Sequence, residues 1–228
     1  MTIQVAIDGP AGAGKSTVAK NVARRIGVPY VDTGAIYRSL TWQAIHLGVP
    51  LDNEQALAEL AAGLEILFIP DERSQKVMVR GMEITHAIRE PEISANVSQV
   101  ATFPLVREQL LVMQTALTKG TLGVVMDGRD IGTRIMPQAD VKVFLTASLA
   151  VRAKRRFEEL RRQDFAVNLT TVMQELEERD FVDRNRHTSP LRPAEDAVQL
   201  DTSLLSIEES CAMVVALCEV RQKHKGVE

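Results

Sequence analysis

An α/β fold built on a parallel sheet of about five short strands is predicted by three features of this 228-residue sequence. Short β-branched apolar runs, of the kind buried on both faces of a sheet, recur along the chain. The first run is followed by a glycine-rich loop, an amphipathic helix and a second run, a βαβ unit with the right-handed crossover of parallel sheets. The second and third runs are separated by roughly ninety residues, whereas a parallel crossover needs only a dozen or somewhat more, and this gap marks an insertion.

The elements follow in order. IQVAI at 3–7 is the first strand. A helix is expected from about Lys15 to Ile26, with Val18, Val22 and Ile26 along one side and Gly27 and Pro29 ending it. Residues 28–31 restart a strand. DTGAIYR at 32–38 leads into a second helix, with Thr33 expected at its N-cap and Ile36 and Tyr37 as packing residues. Inside the gap, LEILFI (64–69) and KVMVRG (76–81) flank the turn-like PDERSQ and predict an antiparallel hairpin. Residues 90–100 and 104–118 read as helices. Later strands are LGVVM (122–126), VKVFL (141–145) and AVQL (197–200). The last helix, 206 to about 223, opens with Ser206 and Glu209 at capping-box spacing. The expected organisation is one domain over 1–228, with a core of 1–48 and 119–228 and a small inserted α+β subdomain at about 49–118.

Composition narrows the function. Hydrophobic content of 45% and charged content of 25% are ordinary for a globular chain with a sizeable core. A net charge of −3 gives no general attraction to nucleic acid or anionic membranes, and aromatic residues (4%) are not interleaved with basic ones. No apolar stretch approaches the length of a spanning helix, and MTIQVAIDGP lacks the pattern of a secretory leader. Cys211 and Cys218 sit in an apolar helical pattern and read as core thiols. The expectation is a cytoplasmic protein without nucleic-acid or membrane partners.

The glycine-rich loop is Gly9-Pro10-Ala11-Gly12-Ala13-Gly14-Lys15-Ser16, the G-x-x-x-x-G-K-[ST] pattern, lying between a predicted strand and a predicted helix. Its backbone N–H groups and the helix start are suited to phosphate oxygens. Lys15 supplies a cation for the β and γ phosphates, and the Ser16 hydroxyl a ligand for Mg²⁺. Residues 9–17, including Thr17, are thus the candidate ATP-binding segment. The guanine-binding N-K-x-D motif is absent. The receiver of the phosphoryl group remains to be found.

Four charged features bear on it. Arg38 lies near the start of the helix after the second strand, where it opposes the helix dipole unless an anion docks nearby; a surface arginine is the alternative. DGRDIGTR (127–134) crowds charge at the end of an apolar strand. Arg179, Asp183 and Arg186 share a helix face, as do Arg152, Arg155 and Arg156; either set alone also suits a solvated stripe, with Arg155 and Glu159 at pairing distance. Taken together, several fixed cations suit transfer between two phosphates better than attack by water.

In this order and spacing, DGPAGAGKST, DTGAIYR, SQVATFPLVRE, DGRDIGTR and ERDFVDRNR resemble the bacterial cytidylate (CMP) kinases over nearly the whole chain. The resemblance implies a P-loop NTPase three-layer fold with a monophosphate-binding insertion and a short helical lid at about 152–166 that closes over the phosphates. It implies a monomer that transfers the γ-phosphoryl of Mg·ATP to CMP or dCMP. Thr33, Arg38, Arg129 and Arg186 would lie near the CMP phosphate or ribose, Ser98, Arg107 and Asp130 would read the base, and Arg179 and Asp183 would hold the ribose. Lys15, Arg129, Arg155 and Arg186 are the candidate catalytic residues, Arg155 from the lid. Asp127 is a candidate to hold Mg²⁺ through water. Kinases of UMP, AMP or shikimate, and a non-catalytic ATP-binding regulator, are the alternatives.

Overall fold

The structure, a computed structural model, describes residues 3–71, 75–119 and 123–225. The chain divides into two compact units, Met1–Tyr30 with Gly120–Glu228, and Val31–Lys119. Leu122, expected at the start of a strand, and residues 72–74 of the expected turn lie outside the described residues.

In the first unit the glycine and proline punctuation works as predicted. β1 (Ile3–Asp8) is followed by α1 (Lys15–Ile26), which ends on a left-handed Gly27. β2 (Tyr30–Asp32) starts later than expected because the Val28 N–H is already engaged by the Ala23 carbonyl in the cap of α1, at 3.0 Å. The rest of the unit comprises β6 (Gly123–Gly128), β7 (Val141–Thr146), α6 (Leu149–Arg162), α7 (Leu169–Asn185), β8 (Val198–Asp201) and α8 (Ile207–Lys225). The sheet order is β2-β6-β1-β7-β8. β1 pairs in parallel with β6 and β7, setting Asp8 beside Gly128 and beside Phe144. The carboxyl ends of these strands therefore deliver the phosphate loop and the DGRD segment to one edge of the sheet.

The core of this unit joins Ile3, Val5 and Ile7 of β1, Val18 and Val22 of α1, and Cys211, Val214 and Cys218 of α8. Both cysteines are free and buried, and burial pushes the Cys218 thiol up to about 12, as inert core thiols require. The capping box forms as predicted: the Glu209 carboxylate accepts from the Ser206 N–H at 2.8 Å, and Ser206 Oγ accepts from the Glu209 N–H at 3.2 Å.

The second unit contains α2 (Thr33–Leu47), α3 (Glu54–Ala62), the hairpin β3 (Ile66–Pro70) and β4 (Gln75–Val79), β5 (Met82–Glu83), α4 (Pro91–Val100) and α5 (Pro104–Ala116). The three strands form an antiparallel sheet in that order. Its core is built from Leu40, Leu57, Val77, Val79, Ile88, Val97, Val106 and Leu110. The unit also takes in α2, which the sequence reading placed with the core. The N-cap of α2 is Asp32, not Thr33: β2 ends extended at Asp32, whose carboxylate accepts the Ala35 N–H at 3.0 Å.

Candidate active site

The phosphate loop is shaped by close approaches that exclude side chains. Gly9 has φ +148°, and a Cβ there would lie 1.9 Å from the Leu145 carbonyl oxygen. Gly12, at φ +74°, would place a Cβ 3.1 Å from Cβ of Arg152. The backbone can therefore curl tightly only as glycine. α1 starts at Lys15 with no side-chain cap, so its first N–H groups are presented to the loop's interior.

Two arginines of α6 brace this loop from behind. Arg152 is buried, donates from Nη1 to the Ala11 carbonyl at 3.0 Å and from Nε to the Ala147 carbonyl at 3.0 Å, and pairs with Asp180 of α7 at 2.7 Å. Arg155 donates to the Ala13 carbonyl at 3.4 Å, to Thr202 Oγ1 at 3.1 Å and to the Thr202 carbonyl at 2.7 Å. The solvated stripe and the Arg155–Glu159 pair allowed by spacing are thereby corrected: the loop backbone takes Arg155, and Glu159 pairs with Arg156 at 2.9 Å. A buried arginine satisfied by carbonyls on one side and a carboxylate on the other works as a bracket.

Lys15 is buried and donates to the Pro10 carbonyl at 2.8 Å. Burial, with the Arg129 guanidinium adding to it, lowers its ammonium to about 7. Ser16 Oγ donates to Oδ2 of Asp127 at 2.9 Å, and the Tyr30 hydroxyl donates to Oδ1 at 2.6 Å.

Beyond β6 the charges of the DGRD turn meet those of α7. Arg129 Nε donates to Oδ2 of Asp183 at 2.8 Å. Arg186 Nη1 lies 3.6 Å from Oδ1 of Asp183, and its Nη2 lies 3.7 Å from Oδ1 of Asp130. Asp130, Asp183 and Arg186 are all buried. The Arg179, Asp183 and Arg186 face is thus not a solvated stripe. Burial raises the Asp183 carboxyl, but Arg129, Arg179 and Arg186 outweigh it and hold the group below the usual range. Arg179 is lowered to about 10, first by burial and then by Arg129. Its Nε is buried without a hydrogen bond among the described residues. Two carboxylates, Asp130 and Asp183, thus stand among the guanidiniums of Arg129, Arg179 and Arg186.

The second unit carries its own set. Arg38 donates from Nη1 to the Ile88 carbonyl at 3.0 Å and to Ser94 Oγ at 2.8 Å, so it is tied to the unit rather than loose on its surface. Arg107 is buried, donates to the Ala101 carbonyl at 3.2 Å and stands over the Tyr37 ring at 5.4 Å. Thr33 is buried and Ser98 is half-buried. Asp32, besides capping α2, lies 3.4 Å from Arg89.

Residues 5–220 match the family described as cytidylate kinase. The chain belongs to that family. It is 47% identical over 219 residues to the cytidylate kinase of Geobacillus thermodenitrificans, covering 96% of this chain and 97% of that one. It is 48% identical over 222 residues to the cytidylate kinase of Bacillus subtilis, covering 97% and 98%. A crystal structure of an uncharacterized protein from Eubacterium ventriosum shares the fold at a TM-score of 0.52 and 10% identity, covering 96% of this chain and 99% of that one.

Within this cytidylate kinase family member, Arg129, Asp130, Arg179, Asp183 and Arg186 belong to the first unit, where Arg129, Arg179 and Asp183 act on the charge of Lys15 in the phosphate loop. Thr33, Arg38, Ser98 and Arg107 belong to the second unit. Sequence reasoning did not single out Asp8, Tyr30 or Thr202, and it named Arg152 only as part of a basic helix face. Asp8 carries the signal that drew attention to Asp127, an acid ending an apolar strand, but the glycine loop beside it took the emphasis. The Ser16 hydroxyl and Asp127 carboxylate offer hard oxygen ligands, which suit Mg²⁺. Among the described residues no cluster of three His, Cys, Asp or Glu side chains could hold a metal alone, and no helix is long and apolar enough to cross a membrane.

Asp8 is 4% exposed, and burial raises its carboxyl from 3.8 to about 6 against the pull of two backbone N–H groups. Between those values the folded state binds more protons than the unfolded one, so this group's contribution to stability is present at low pH and lost as pH rises through 6. The stability of the protein relative to Asp8→Asn is expected to fall by up to about 3 kcal/mol between pH 4 and pH 7. Urea unfolding at both values measures it; a pH-independent difference contradicts the assignment.

Proposed function

We propose that this cytidylate kinase transfers the γ-phosphoryl of Mg·ATP to CMP or dCMP, giving ADP and CDP or dCDP. The observation that carries the reading is the buried Arg129–Asp130–Asp183–Arg186 cluster, set at the carboxyl edge of the sheet that also bears the phosphate loop. The bond between the γ-phosphorus and its bridging oxygen breaks, leaving its electron pair on ADP. A CMP phosphate oxygen supplies the pair for the new bond. That oxygen is already an anion, so no general base is needed, and catalysis reduces to alignment and charge neutralisation.

Lys15 and the N–H groups of residues 9–17 hold the ATP phosphates. Ser16, with Asp127 through water, would hold Mg²⁺, which would supply positive charge against the triphosphate. In the first unit Arg129 and Arg186 take the acceptor phosphate side, while Arg179 and Asp183 take the ribose; Thr33 and Arg38 are the second unit's own candidates for an anion. Arg155 serves ATP by shaping the loop at Ala13, a role its contacts support better than that of a mobile finger.

Cytosine presents an N4 amino donor with O2 and N3 acceptors. The Asp130 carboxylate of the first unit suits the donor, and Arg107 and Ser98 of the second unit carry donors of the kind the acceptors need. Uracil would set its O4 lone pairs against the carboxylate, and a site with buried polar groups rejects such a mismatch strongly. Asp130→Ala is expected to reduce the CMP-over-UMP ratio of kcat/KM by roughly 10- to 100-fold, the worth of one charge-assisted hydrogen bond. Steady-state kinetics with both acceptors measures this, and an unchanged ratio removes Asp130 from base reading.

A further inference from the structure

We infer that Asp8 is a positioning residue for acceptor selectivity, holding the turn that carries Asp130. The inference rests on the base-reading role of Asp130 proposed above. Asp8 is the last residue of β1 and immediately precedes Gly9 of the phosphate loop. Its Oδ1 accepts the N–H of Ile131 at 2.8 Å, and its Oδ2 accepts the N–H of Gly132 at 2.7 Å. These are the two residues directly after Asp130. Both carboxylate oxygens are thus spent on the backbone of one turn.

The turn needs an outside clamp. Residues 131–135 form a single wide helical turn, in which the Arg134 and Ile135 N–H groups share the Asp130 carbonyl at 2.9 and 3.3 Å. An isolated wide turn of this kind is a weak local structure. The Asp130 side chain does not cap it, and the N–H groups of residues 131 and 132 are the ones a helix start leaves unpaired. A carboxylate from the neighbouring strand fills that place. A Cβ on Gly132 would stand at ordinary contact distance, 3.4 Å, from Oδ2 of Asp8 and more tightly, 3.2 Å, against Cδ of the Lys142 side chain. A buried carboxylate is a costly way to satisfy two N–H groups unless their placement matters. Asp8 also connects the two substrates, since one residue ends on the phosphate loop and fixes the DGRD turn.

Asp8→Asn retains one acceptor oxygen and turns an NH₂ group toward the other N–H, so the turn must shift. The test is a double-mutant cycle on the CMP-over-UMP ratio of kcat/KM, using the intact protein, Asp8→Asn, Asp130→Ala and the double variant, with KM for ATP measured in parallel. The expected results are a roughly tenfold fall in the ratio for Asp8→Asn, arising in KM for CMP more than in KM for ATP, and no further fall when it is added to Asp130→Ala. An unchanged ratio in Asp8→Asn, or effects that multiply in the double variant, overturns the inference while leaving the role of Asp130 standing. An unchanged ratio in Asp130→Ala overturns that reading and this inference with it. Asp8→Glu keeps the charge but moves the carboxylate by one methylene relative to the two N–H groups, and covers the case of an Asp8→Asn chain that does not fold. It is expected to lower the ratio in the same direction, and an unchanged ratio counts equally against the inference.

Discussion

Lys15→Ala is expected to lower kcat by roughly 10³-fold or more, with secondary structure and melting temperature retained. The loop holds its shape without the ammonium, because the glycine geometry and the Arg152 and Arg155 brackets act on backbone carbonyls. What disappears is a cation that the fold keeps buried and lowers to about 7, ready to gain from the negative charge of a triphosphate. The substitution removes an unfavourable buried charge from the resting protein and a favourable contact from the transition state, so stability and rate should move apart. A coupled ADP assay with a thermal melt on the same preparation separates them. A loss of less than tenfold in a folded variant would take Lys15 out of the catalytic machinery.

The second large effect is expected at Arg129. Arg129→Ala leaves Asp183 buried beside Arg186 without its shortest ion pair, the 2.8 Å contact to Arg129 Nε. Removing one partner of a buried pair costs about 3–5 kcal/mol, because the remaining charge cannot return to water. Arg129 is itself a group that burial would lower but that Asp183 holds above its ordinary value, so the pair is strongly joined from both sides. On the role proposed for Arg129 at the acceptor phosphate, turnover with CMP should fall by roughly 10²-fold or more. Urea unfolding measures the first effect and kcat the second. Arg129→Ala with unchanged stability would mean that Asp183 relies on Arg179 and Arg186 instead.

Much of the architecture was legible because it is punctuated. β1 and α1 are framed by the glycines at 9, 12, 14 and 27, and the capping box at Ser206 and Glu209 marks a helix start by side-chain chemistry alone. The phosphate loop was legible for the same reason. Short elements without punctuation were missed: α3 spans nine residues and β5 two, lengths at which periodicity says little. The cap at Asp32 was misassigned to Thr33 because both residues are good caps, and the choice depends on where β2 stops being extended.

The charged constellations show a different limit. Periodicity places Arg179, Asp183 and Arg186 on one helix face but is silent on whether that face meets water or other charges. Burial is decided by the DGRD turn, which arrives from about fifty residues earlier in the chain. Arg152 and Arg155 share the ambiguity. They are brackets rather than surface charges because α6 lies against Gly12, a close approach that no local pattern encodes. Asp8 reads as one more strand-end acid until the N–H groups of residues 131 and 132 are seen to meet its two oxygens.

The most direct test of the account is ADP formation from Mg·ATP with CMP, dCMP, UMP, AMP, GMP and shikimate offered separately as acceptors. Fast turnover confined to CMP and dCMP is the predicted result and would join the phosphate loop, the arginine cluster and the DGRD turn in one reaction. A higher rate with any other acceptor, or ATP binding without turnover on any of them, would contradict it.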